Sequence, residues 1–152
     1  MIFFYALAGF VVLIDQLSKF FALRHLASGG AVPLVPNVLD LTLVRNTGAA
    51  FGLFSDYAPV LFTVITASLF VLFFIANRSH QAGRPGVSNV DRLALCLILG
   101  GAVGNWIDRL RFGAVIDFID FRIFPVFNIA DAAITVGVAI YFIHVLTSKE
   151  KK

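Results

Sequence analysis

The sequence predicts an all-α membrane fold: a four-transmembrane-helix bundle with a small β-sheet and loop region lying on the outer membrane surface. Three observations predict it. Hydrophobic residues make up 59% of the 152 residues and charged ones 14%, whereas soluble domains carry about 25% charged residues. Four apolar runs are long enough to cross a hydrocarbon layer of roughly 30 Å at about 1.5 Å per residue. Threaded alternately, those runs bring most of their carboxylates and amides to one end of the bundle.

The first run, about Ile2 to Leu26, contains "DQLSK"; Asp15 and Lys19 interrupt it ahead of any cleavage site, which argues against a cleaved leader. Next comes "VLDLTLV", Val38 to Val44, whose alternation of Leu39, Leu41 and Leu43 with Asp40 and Thr42 predicts a strand. The second run, Tyr57 to Ala76, is the cleanest span, and the polar, turn-rich stretch Asn77 to Arg92 separates it from the third, about Leu93 to Leu110. "VIDFIDFRIF", Val115 to Phe124, reads as another strand, with Asp120 and Arg122 on the face opposite Asp117. The fourth run extends from about Asn128 to Leu146, and residues 1–152 form a single integral membrane domain.

Four crossings put both termini and the 77–92 loop on one side. Arg78, Arg84, Arg92, Lys149, Lys151 and Lys152 lie there; Lys19, Arg24, Arg45, Arg109, Arg111 and Arg122 lie toward the other. The positive-inside count is balanced, but the second set falls within polar clusters, so the termini are assigned to the cytoplasm. A net charge of +3 without a dense basic run excludes nucleic acid as a partner. Cys96 is the single cysteine, so no intrachain disulfide forms.

Asp15 and Lys19 are spaced i, i+4 and read as a structural ion pair. Asn105, Asp108 and Arg109 share one helical face, and "GGAVG" (100–104) has the small-residue spacing that lets membrane helices approach closely. Asn128 is a favoured helix cap, with Asp131 placed three residues on as in a capping box, so this acid either caps or does chemistry. Asp120 and Arg122 read as a surface ion pair. Asp117 sits among Val115, Ile116, Phe118 and Ile119 with no basic neighbour within two residues, and burial there raises a carboxyl pKa. Two such carboxyls in contact share a proton, the arrangement of aspartic proteases. Spacing alone leaves open whether Asp117 and Asp131 meet. Neither HExxH nor GxSxG nor GxGD occurs, and His25, His80 and His144 are scattered. A proton-relay transporter would place its charges near mid-bilayer; a lipid-binding scaffold would not require two particular carboxylates.

Five stretches in order resemble the lipoprotein signal peptidase (signal peptidase II) family: "DQLSK" (15–19), "RNTGAAFG" (45–52), "GGAVGNWIDR" (100–109), "GAVIDFIDF" (113–121) and "FNIADAAITVG" (127–137). Ser18 stands where Thr is more frequent in that pattern. The resemblance implies a four-helix aspartyl endopeptidase of the bacterial inner membrane, needing no cofactor or metal, with its site near the periplasmic or outer face. It implies cleavage of a diacylglyceryl-modified prolipoprotein just before the lipidated Cys, contact with membrane lipid and inhibition by globomycin-type peptides; the oligomeric state is open, with a monomer the default. By motif position Asp117 and Asp131 are the catalytic pair, since the family acid follows a "VxD" pattern. Asn46, Gly48, Asn105, Asp108, Arg109, Asn128 and Ala130 line or brace the site, with Asp15 and Lys19 supporting near the substrate entrance.

Overall fold

A computed structural model describes residues 2–27, 29–47, 63–71, 74 and 88–149. In chain order these form α1 (Ile2–His25), β1 (Val32–Val35), β2 (Leu39–Asn46), the helical stretch α2 (63–71), α3 (Asn89–Phe112), β3 (Val115–Asp120) and α4 (Ile129–Lys149). Helices α1, α3 and α4 are each long and apolar enough to cross a membrane. The expected span Tyr57 to Ala76 is represented by α2; apart from residue 74, its remainder lies outside the described residues, as does most of the 77–92 loop.

Helix α3 is the middle of the bundle, packing against both α1 and α4. Its apolar stretch is 44% buried inside the protein, against 22% for α1 and 11% for α4. In lipid, burial of apolar surface does not drive helices together, so close van der Waals approach does. The "GGAVG" segment provides it: a Cβ at Gly100 would meet the Val11 side chain at 2.8 Å, and one at Gly101 would collide with the Ala130 carbonyl.

Helix α3 starts four residues before the expected Leu93. Ser88 caps it: its hydroxyl accepts from the Asp91 N–H at 3.0 Å while the Asp91 carboxylate accepts from the Ser88 N–H at 3.3 Å. This reciprocal pairing satisfies two N–H groups that a helix start leaves open. At the other end Gly113, at φ 69°, supplies the left-handed residue that stops the helix.

The sheet is antiparallel, in the order β1-β2-β3. Phe118 on β3 packs with Ala22 and Leu26 from the end of α1, and with Leu41 and Leu43 on β2, which seats the sheet over one end of the bundle. β3 ends at Asp120 rather than running to Phe124, because Arg122 adopts φ 61° and breaks the extended run. The chain then folds back so that Phe127 bonds β3, accepting from the Ile119 N–H at 2.8 Å and donating to the Ile119 carbonyl at 3.0 Å. Asn128 follows at once and α4 begins, so the turn brings Asp117 of β3 beside the start of α4.

The expected Asp120–Arg122 ion pair is replaced by a longer-range one. The Arg122 guanidinium bonds Asp40 on β2 at 2.7 and 2.8 Å, and Asp120 instead accepts from the Arg122 backbone N–H and the Thr42 hydroxyl. Backbone reversal at Arg122 carries its side chain off the β3 face and onto the neighbouring strand.

Candidate active site

Asn128 is the junction of the polar centre and is fully buried. Its side-chain oxygen accepts from the Asp131 N–H at 2.9 Å, and the Asp131 carboxylate accepts from the Asn128 N–H at 3.3 Å, so the expected capping box forms. Its amide nitrogen meanwhile donates to Asp117 Oδ1 at 2.6 Å. One residue thus caps α4 and ties the two acids together.

Asp117 is 1% exposed and faces Asn46, which donates to its Oδ2 at 2.9 Å from the adjacent strand β2. Burial pushes the Asp117 carboxyl above the usual carboxylate range; the bonds from Asn46 and Asn128 oppose that shift, and the charge of Asp131 adds to it. No ion pair to Asp117 is present among the described residues. Asp131 is half-buried, on the first turn of α4, where the helix dipole favours negative charge. Asn105 donates to its Oδ1 at 2.7 Å.

Beneath these acids lies a second layer. Lys19 is 2% exposed and bonds Asp15 and Asp108, each at 2.8 Å, and the Asn105 oxygen at 2.9 Å. Asp15, fully buried, also accepts the Ala130 N–H at 2.9 Å, which satisfies a donor at the start of α4. Gly104 makes room for it: a Cβ there would come within 2.5 Å of Asp15 Oδ2. Asp108 accepts the Ile116 N–H at 3.1 Å, tying α3 to β3. The Arg109 guanidinium donates to the Asn105 carbonyl at 3.3 Å and lies within electrostatic reach of Asp131, Asp108 and Asp117.

Thus Asp117, Asp131, Asp15, Lys19, Asn46, Asn105, Asp108, Arg109, Asn128 and Ala130 converge, whereas Gly48 lies outside the described residues. Gln16 was not anticipated: its amide bridges Asp15, Asp108 and the Gly104 carbonyl at 3.0 to 3.2 Å. A polar side chain beside Asp15 in an apolar run was the available signal. Among the described residues, no group of three or more His, Cys, Asp or Glu is placed to hold a metal ion.

Helices apolar enough to cross a membrane, converging on buried acids under a small sheet, define an integral membrane protein with its polar centre at one end of the bundle. The family model described as "Signal peptidase (SPase) II" matches residues 7–147. A lipoprotein signal peptidase of Moorella thermoacetica is 45% identical over 90% of this chain and 88% of its own length. One from Halothermothrix orenii is 36% identical over 97% of both. A solved chain described as "Bacterial membrane enzyme structure by the in meso method at 2.3 A resolution" superposes with TM-score 0.82 at 31% identity, over 100% of this chain and 92% of that one. The chain belongs to the signal peptidase II family, a family of membrane-embedded bacterial proteases.

Proposed function

We propose that this protein removes signal peptides from diacylglyceryl-modified prolipoproteins, cleaving just before the lipidated Cys, as an aspartyl endopeptidase with Asp117 and Asp131 as its pair. The observation that carries the reading is the bridge through Asn128, whose side-chain amide donates to the Asp117 carboxyl while its backbone N–H donates to the Asp131 carboxyl. The charge of Asp131 adds to the burial that holds the Asp117 carboxyl above its ordinary range.

Their surroundings divide the labour. Asp131, on a helix N-terminus with the Asn105 amide on its Oδ1, is the carboxylate and takes a proton from water. The resulting hydroxide attacks the scissile carbonyl carbon. Asp117, buried and held above its ordinary range, donates its proton to the carbonyl oxygen as the tetrahedral intermediate forms. When the intermediate collapses, the C–N bond breaks. The proton on Asp131 passes to the leaving amine, and Asp117 recovers its own from the hydroxyl as the new carboxyl forms.

In this reading α2 belongs to a fourth span, both termini are cytoplasmic, and the sheet and site lie at the outer face of the inner membrane. The single domain 1–152 works as a monomer. Its substrate arrives by lateral diffusion in the lipid, and a globomycin-type peptide competes for the same site.

The test is cleavage of a lipidated prolipoprotein by the purified protein in nanodiscs, followed by mass shift. Asp117→Asn and Asp131→Asn each lower turnover by about 10³-fold or more, while Asp120→Asn, whose carboxylate bonds the Thr42 hydroxyl and the Arg122 N–H, cuts normally. Wild-type-like cleavage by folded Asp117→Asn sinks the pair assignment. A wild type that leaves the lipidated substrate intact sinks the peptidase reading altogether.

A further inference from the structure

Lys19 touches neither acid of the proposed pair, yet its contacts decide which atom of Asn105 faces one of them. An ammonium has three donors and no acceptor. All three of its donors are engaged, on Asp15 at 2.8 Å, Asp108 at 2.8 Å and Asn105 Oδ1 at 2.9 Å. The Asn105 oxygen must therefore turn toward Lys19, which leaves the Asn105 NH2 on Asp131 Oδ1 at 2.7 Å. The flipped amide would set its NH2 against the ammonium and its oxygen against the carboxylate, two repulsions in place of two charge-assisted bonds.

Asn128 also donates to Asn105 Oδ1, but at 3.1 Å, and its nitrogen is shared with Asp117 at 2.6 Å and the Ile116 carbonyl at 3.3 Å. The shorter, charged bond from Lys19 is the stronger lock. Among the described residues, Asp117 on β3 and Arg109 on α3 interact electrostatically with Asp131, and Lys19 with its partners Asp15 on α1 and Asp108 on α3 stands one residue further off, behind Asn105.

We propose that Lys19 is a positioning residue: acting through the Asn105 amide, it keeps an N–H on Asp131 and thereby sets the pH range over which the two acids work. This rests on the peptidase reading above. Removing a donor from the charged member of the pair disfavours ionisation, so the acidic limb of activity must move to higher pH.

The experiment is the pH–rate profile of cleavage in nanodiscs for wild type, Lys19→Met, Lys19→Arg and Asn105→Ala, each normalised to folded protein. In Lys19→Met, kcat falls about 10- to 100-fold with KM within about twofold, and the acidic limb moves up by about one pH unit. Lys19→Arg, still a donor with no acceptor, returns the limb toward wild type. Lys19→Met leaves two buried acids without their cation and so strains the fold; Lys19→Met combined with Asp108→Asn removes one of those charges and must show the same displaced limb. Asn105→Ala keeps Lys19 on its acids and must reproduce the displacement. An unmoved limb in Asn105→Ala, or in folded Lys19→Met, overturns the proposal while leaving the peptidase reading intact. An inactive wild type overturns that reading and this proposal with it.

Discussion

Helices α3 and α4 begin in the same way and serve different ends. Ser88 with Asp91 and Asn128 with Asp131 form the same box, the backbone N–H of each cap reaching the acid three residues on at 3.3 Å. At α3, Asp91 turns outward to His144 near the end of α4, at 2.8 Å, and the pair is part-exposed. At α4, Asp131 turns inward to Asn105, and its cap reaches a second acid. A capping box is therefore a helix start and nothing more. What separates the two is the cap residue: a Ser hydroxyl is used up by its own helix, whereas an Asn carboxamide caps with its oxygen and keeps two N–H donors for other partners.

The sharpest way to break this parallel is to remove both caps. Asn128→Ala loses about 10²- to 10³-fold in turnover along with the cap. Ser88→Ala loses about 1 kcal/mol of stability and nothing in turnover per folded molecule. Equal turnover losses would make the two helix starts equivalent and remove the reason to single out Asn128.

A second, smaller contrast lies in pH. Burial raises the Asp117 carboxyl from its ordinary value of 3.8, so the folded chain retains that proton to higher pH than the unfolded chain. The associated stability is complete below about pH 4 and is lost as pH climbs through the raised value, at about 1.4 kcal/mol per unit of displacement. Melting temperatures of wild type and Asp117→Asn, measured from pH 4 to 8, must diverge in favour of the variant. A constant gap would mean that Asp117 bears no burial penalty. The smallest effect belongs to the outer pair: His144→Gln costs a few tenths of a kcal/mol at most, as part-exposed pairs do, and a loss above about 1 kcal/mol in thermal unfolding would show His144 to matter more to the fold than its exposure implies.

The sequence made the helices legible because period and length are local properties, and the Asn128–Asp131 box because it spans four residues. It also showed that the acids lie toward one end of the bundle. It did not show that Asn128 links Asp117 to Asp131, which depends on Phe127 folding back onto β3. Nor did it show β1, four residues including Pro33 and all exposed, which carries no alternation to read. Spacing pairs Arg122 with the nearest acid in sequence, Asp120, whereas its partner is Asp40, 82 residues away. The roles of Gln16 and His144 are not legible for the same reason: their partners are set by packing across the bundle, not by spacing along one helix.

The bond between Asp15 and the Ala130 N–H joins positions 115 residues apart. It gives the molecule an order of assembly. Chains emerge from the ribosome N-terminus first, so Asp15 and Lys19 enter the bilayer long before α4 exists to meet them. Until that last helix docks, Asp15 lacks its backbone donor, Asn105 lacks Asp131, and Asp117 has Asn46 but not its proposed partner acid. A chain not yet made as far as α4 therefore holds only one of the two proposed acids, and translation withholds cutting by that proposed pair until α4 has been made.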